Sequence, residues 1–177
     1  MVKTQEKQIK VGTNVIIDPT VIASTFNEYF ANIGPNLAKK LPQETGNPDA
    51  YIRTTNVHSI FLDNTDSREI SDIIALLKNS CSNGHDDIDS KIVKHVFAEI
   101  QNPLTHIFNL SLTTGKFPND LKLAKVVPIH KGGDKLSLSN YRPISILPCF
   151  SKILERLMYN RILKFINKHN ILTCNQY

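Results

Sequence analysis

Three carboxylates, Asp86, Asp87 and Asp89, stand close together in this chain of 177 residues, with His85 just before them. A paired-metal centre for phosphoryl transfer needs carboxylates that hold two divalent ions ~3.5–4 Å apart. This trio has no flanking strand pattern to aim it, and it sits just before a helical stretch. Asp89-Ser90 reads instead as the cap of a helix that begins near Lys91. Cys81 and His85 form a lone C-x3-H pair without a second pair, which counts against a zinc site. Gly132-Gly133 lies outside any Walker-type loop sequence and reads as a hairpin turn. Asn109-Leu110-Ser111 has the form of a glycosylation sequon but falls inside a predicted helix. The six histidines are scattered, and none gains a catalytic role.

The cations point to a different chemistry. Lys131 ends one β-like run and Arg142 begins the next, so a hairpin brings both to the same end of a ribbon. Two fixed positive charges there can clamp a triphosphate, the arginine in bidentate fashion and the lysine as a mobile point charge. Lys152, Arg156, Lys164 and Lys168 recur at i+4 or multiples of it, with Asn160 filling the gap. Such a row drifts slowly around a helix and makes one continuous strip that can track a nucleic-acid backbone. The same strip also serves as an ordinary solvated helix face. Lys125 and Lys135 are further candidates for template contact, and Tyr141 is the aromatic best placed to stack on a base. Arg161 falls near the centre of the apolar arc of the same helix, so it either snorkels outward or is covered and paired. Its partner within the chain is either an acidic side chain, with Glu99 and Asp120 as candidates, or helix-end carbonyls, and a group on an adjoining domain is the alternative.

The elements that must position these residues follow from spacing. Residues 1–17 show no period and read as a flexible arm. Asp18-Pro19 caps a helix carrying Val21, Ile22, Phe26, Tyr29, Phe30 and Ile33, and Gly34-Pro35 is expected to stop it. Residues 42–65 read as a linker with one apolar patch, Ile60-Phe61-Leu62. Asp66 and Glu69 have capping-box spacing ahead of Ile70, Ile73, Ile74 and Leu77. A further helix over Ile92–Ile100 and a separate one restarted at Asn102-Pro103 and capped by Gly115 complete the helical part. LAKVVPI and YRPISIL then read as edge strands, since each holds a proline, Pro128 or Pro143. A long helix follows from Phe150. Phe150 and Phe165 belong to its apolar arc and are expected in the core. The fold class is mostly α with a small antiparallel β-hairpin, an α+β arrangement.

Charge and composition restrict the class. Residues 1–115 hold 10 basic and 13 acidic side chains, whereas residues 116–177 hold 11 and 3. A basic third beside a mildly acidic remainder suits an anionic partner, nucleic acid first among them. With 41% hydrophobic residues the chain is globular rather than disordered. It has no run of ~18 apolar residues for a membrane span and no apolar core near Met1 for a secretory signal. Three cysteines far apart suit a reduced compartment. The expectation is an intracellular protein, nuclear or cytoplasmic, neither secreted nor bound to a membrane.

Four ordered blocks carry a resemblance: DPTVIASTFNEYFANIGPNL, SNGHDDIDSKIVKHV, PLTHIFNLSLTTGKFPNDLK, and LKLAKVVPIHKGGDKLSLSNYRPISILPCFSKILERLMYNRI. Together they resemble the start of the reverse transcriptase domain of non-LTR retrotransposons, the LINE-like and jockey-like elements, over about residues 18–177. The resemblance implies part of a right-hand RNA-directed DNA polymerase: pre-fingers and fingers without the palm. On it, residues 18–65 are a helix plus linker, 66–122 the helical pre-fingers region, and 123–177 the fingers hairpin and long basic helix. It implies that Lys131 and Arg142 contact the phosphates of the incoming nucleotide. RNA template, DNA primer, and the palm and thumb of the same polyprotein are the implied partners. Mg²⁺ is implied for the intact enzyme; no cofactor is expected on this stretch. The chain alone is expected to be catalytically inactive and prone to self-association. Two other readings stay open: a stand-alone RNA-binding module derived from such an element, and a helical protein-interaction domain.

Overall fold

The computed structural model describes residues 8–42, 58–79 and 83–172. They fall into two compact units. One lies within Met1–Tyr51 and Val126–Ser145, the other within Ile52–Lys125 and Ile146–Tyr177.

In the first unit, β1 (Ile9–Val11) and β2 (Asn14–Ile16) pair antiparallel, with Ile9 opposite Ile16 and Val11 opposite Asn14. Gly12 supplies the positive φ of +61° in the turn between them. These residues were expected to belong to an arm. Ile9 is instead fully buried, and its burial selects the pairing. Helix α1 (Pro19–Ala38) begins where Asp18 accepts the backbone N–H groups of Thr20 and Val21. It does not stop at Gly34-Pro35. A proline removes only its own N–H, and the ladder resumes beyond it with Lys39 N–H donating to the Pro35 carbonyl at 3.1 Å. The core of this unit is Ile9, Ile22, Phe26 and Tyr141, flanked by Ile16, Phe30 and Leu138. Strands β3 (Lys125–His130) and β4 (Tyr141–Ile146) form the second two-stranded sheet. Each strand has an open edge, so Pro128 and Pro143 cost no ladder bond there.

The second unit is helical. Asp66 caps α2 (Ser67–Leu76), Asp89 caps α3 (Ser90–Thr114), and α4 (Cys149–Lys168) follows Pro148. Residues 90–114 are one helix, not two restarted at Pro103. Val93, Leu104, Phe108 and Leu112 keep a single buried phase across that proline, and the packing outweighs one lost ladder bond. Gly115 ends it in the left-handed region at φ +67°. Ile70, Ile73 and Ile74 of α2, Val93, Leu104 and Phe108 of α3, and Cys149, Ile153, Leu154 and Leu157 of α4 make one core. Phe150 packs against it half-buried. The architecture is therefore mostly α with two small antiparallel sheets where one was expected.

Candidate nucleic-acid interface

The loop between β3 and β4 is braced from several sides. Lys131 N–H donates to the Asn140 carbonyl at 2.8 Å, which closes the ribbon. Gly132 and Gly133 turn the chain at φ +122° and +83°. Asp134 accepts Leu136 N–H through its carboxylate, while its carbonyl accepts the Asn140 amide at 2.9 Å. Lys10 of β1 donates its N–H to the Leu136 carbonyl at 2.8 Å. Lys131, Lys135 and Arg142 are exposed on this frame. Lys131 and Arg142 thus lie at the same end of the hairpin, as their positions in the sequence suggest.

Tyr141 does not have the expected role. Only 4% of it is exposed, its hydroxyl donates to the Lys135 carbonyl at 2.7 Å, and its ring meets Phe26 edge-on with centroids 4.9 Å apart. Phe26 draws the ring inward, so it holds the loop from beneath and offers no face to a base. Lys125 is three-quarters covered, with its Nζ 3.6 Å from Asp87.

On α4, Arg156, Lys164 and Lys168 are exposed, whereas Lys152 is half-buried. Lys152 lies at the rim of a cavity of about 290 Å³ shared with Lys78, Ser90 and Cys149. Burial pushes the Cys149 thiol above its ordinary pKa. The Arg156 guanidinium sits 5.0 Å over the Tyr159 ring.

The carboxylates near His85 are occupied as caps. Asp89 accepts Ile92 N–H at 2.8 Å, Asp86 accepts Ile88 N–H at 3.3 Å, and Asp87 faces Lys125. Among the described residues no three His, Cys, Asp or Glu side chains gather to hold a metal ion. These acids do not fit a paired-Mg²⁺ centre. Asn109 uses both ends of its amide on the Thr65 backbone, at 2.7 and 2.9 Å. Cys81 lies outside the described residues.

Arg161 is covered and paired, and its carboxylate partner is neither Glu99 nor Asp120. It takes the Glu69 carboxylate with two nitrogens, both at 3.0 Å. Its other N–H groups donate to the carbonyls of Asp63 at 2.6 Å, Asn64 at 3.1 Å and Leu157 at 3.0 Å. All five donors of the fork are thereby used. The hydrogen bonds from Arg161 hold the Glu69 carboxyl below its ordinary pKa against the opposing effect of burial, and Thr65 adds to the lowering. Glu69 is therefore only half of a capping box. Its N–H meets Asp66, but its carboxylate faces Arg161 and Thr65.

Of the residues beside Arg161, Lys164 and Lys168 belong to the basic strip of α4, but residues 59–63 carry no charge pattern of their own in sequence. Ser59, Ile60, Phe61 and Asp63 meet Lys164, Phe165, Lys168 and His169 around a cavity of about 230 Å³. The only signal for it is the apolar patch Ile60-Phe61-Leu62 standing alone in a polar stretch.

No family model matches the chain. It is 31% identical over 144 residues, 77% of its length, to the RNA-directed DNA polymerase from mobile element jockey of Drosophila melanogaster. It is 35% identical over 54% of its length to the jockey polymerase of Drosophila funebris. It is also 32% identical over 62% of its length to the probable RNA-directed DNA polymerase from transposon X-element of Drosophila melanogaster. The matched stretches span 15%, 10% and 12% of those relatives. Among the described residues no helix is long and apolar enough to cross a membrane.

Proposed function

From the premise that this chain is a relative of a segment of the RNA-directed DNA polymerases of non-LTR retrotransposons, we propose that it serves as their pre-fingers and fingers portion, gripping template RNA and the phosphates of the incoming nucleotide. The observation that carries this is the braced hairpin that holds Lys131 and Arg142 exposed at one end. A frame tied by backbone bonds anchors the two residues at one end of the hairpin and leaves their side chains exposed, which suits capture of a polyanion. Lys135 on the loop adds positive charge near them. Arg156, Lys164 and Lys168 form the second basic surface, on α4, with Lys152 at its partly covered end. The lysines and arginines bind phosphate without reading sequence, so the grip is sequence-independent and weakened by salt. The reaction itself, template-directed addition of deoxynucleotides with Mg²⁺, belongs in this reading to carboxylates that the described residues do not supply.

The test has two arms. The chain is titrated with single-stranded RNA over a range of salt concentrations; affinity should fall steeply as salt rises. Lys131→Ala with Arg142→Ala should reduce the log–log salt slope by about 1–2. In a polymerase that contains this segment, the same pair should raise the apparent nucleotide KM while leaving unfolding within about 0.5 kcal/mol of the parent. Binding that ignores ionic strength would favour a protein-interaction domain instead. An unchanged nucleotide KM would leave only an RNA-binding module.

A further inference from the structure

The segment from His58 into α2 lies along the C-terminal half of α4, and Arg161 pins it there through the carbonyls of Asp63 and Asn64. At this edge Phe61 is 81% exposed, the highest value among the described large apolar side chains. A ring that open to water gains nothing from the core. It borders a cavity of about 230 Å³ that also receives Lys164, Phe165, Lys168 and His169. His58 and His169 stack with centroids 4.0 Å apart and planes 25° from parallel, and Phe165 meets His169 at 4.7 Å. Planar rings therefore cluster on the same side as two lysines one helical turn apart.

Those two features suit different parts of one ligand. A flat ring takes any base on its face, and a lysine beside it takes the adjoining phosphate. Duplex RNA hides its base faces, so only an unpaired strand can use both. Arg161 has no donor left for a ligand and acts here as the pin that holds the segment. Asp63 also borders the cavity, and its carbonyl is held by Arg161.

We infer that Phe61, with the His58–His169 stack and with Lys164 and Lys168, forms a base-stacking platform for single-stranded RNA at the end of α4. This rests on the reading of the chain as a nucleic-acid-gripping segment and adds to its Lys164 and Lys168 the rings of Phe61, His58 and His169, which that reading does not require.

The experiment uses the whole chain and a single-stranded RNA carrying a fluorescent base analogue, with heparin as a polyanion that has no bases. Phe61→Ala should weaken RNA binding by about 5- to 150-fold, abolish quenching of the analogue, and leave heparin binding and thermal unfolding unchanged. Phe61→Tyr should retain the quenching. Lys164→Ala with Lys168→Ala should weaken RNA and heparin alike. If Phe61→Ala binds RNA as the parent does while Lys131→Ala with Arg142→Ala weakens it, the platform is overturned and the fingers reading stands. If the parent chain does not bind single-stranded RNA, both fall. If Phe61→Ala changes only self-association, the face contacts protein and the platform is likewise overturned.

Discussion

Replacing Arg161 by lysine keeps the charge and removes the fork. One ammonium has three donors and cannot reach both Glu69 oxygens and three carbonyls together. Arg161→Lys should therefore cost nearly as much as Arg161→Ala, about 2–3 kcal/mol in urea unfolding, because Glu69 and the Asp63 and Asn64 carbonyls lose their donors. A loss close to zero for the lysine variant would mean that charge alone holds the contact. The pairing also has a pH signature. Glu69 has a lowered pKa in the folded chain, so the folded state binds fewer protons than the unfolded one in mild acid. Its contribution is present above the ordinary glutamate range and is lost as pH falls through the lowered folded value. Glu69→Gln should flatten that acid limb of stability, measured by unfolding across the acid range. The place of Arg161 in the apolar arc was legible, but spacing left snorkelling and covered pairing both open. Its partner was not legible, because the spacing of α4 cannot say which face of which other helix arrives there.

At the scale of elements, caps and turns carry most of the local order. Asp89→Ala removes the acceptor for Ile92 N–H and should destabilise by about 1 kcal/mol. Asp86→Ala should leave helix α3 intact, which circular dichroism would show. The loop before α3 is held for a separate reason. A Cβ on Gly84 would lie 2.8 Å from the Pro148 Cα and nitrogen, both backbone atoms that cannot swing away. Gly84→Ala should cost about 1–3 kcal/mol, read as a lowered unfolding midpoint. Asp18, Asp66, Asp89 and Gly115 were legible as caps because capping is a local hydrogen-bond geometry set by neighbours in sequence. Pro35 and Pro103 misled for the complementary reason. A proline is a local penalty; α3 continues through Pro103 because its buried face is satisfied by distant residues, whereas α1 runs only one exposed turn past Pro35, where Lys39 N–H resumes the backbone ladder.

For the whole molecule, two cores of unequal size predict unequal stability. Among the described residues, four buried ones serve the unit of β1, β2 and α1, against ten in the helical unit. Phe26→Ala should strip hydrogen-exchange protection from α1 and the β1–β2 pair while α3 and α4 keep theirs. Equal loss of protection everywhere would show that the two cores unfold as one. The charge asymmetry, the mostly helical class, the helix caps and the hairpin that carries Lys131 and Arg142 are all readable from the sequence alone, since each depends on composition or on residues a few positions apart. The four ordered blocks also revealed the resemblance without coordinates. Tertiary structure decided the rest. It buried Tyr141 against Phe26, paired Arg161 with Glu69 across 92 positions, ordered residues 9–16 around a buried Ile9, and set Phe61 beside Lys164 and Lys168. In each case the deciding contact joins residues far apart in the chain. Local spacing fixes which way a side chain points from its own element, and only the packed fold determines what stands opposite it.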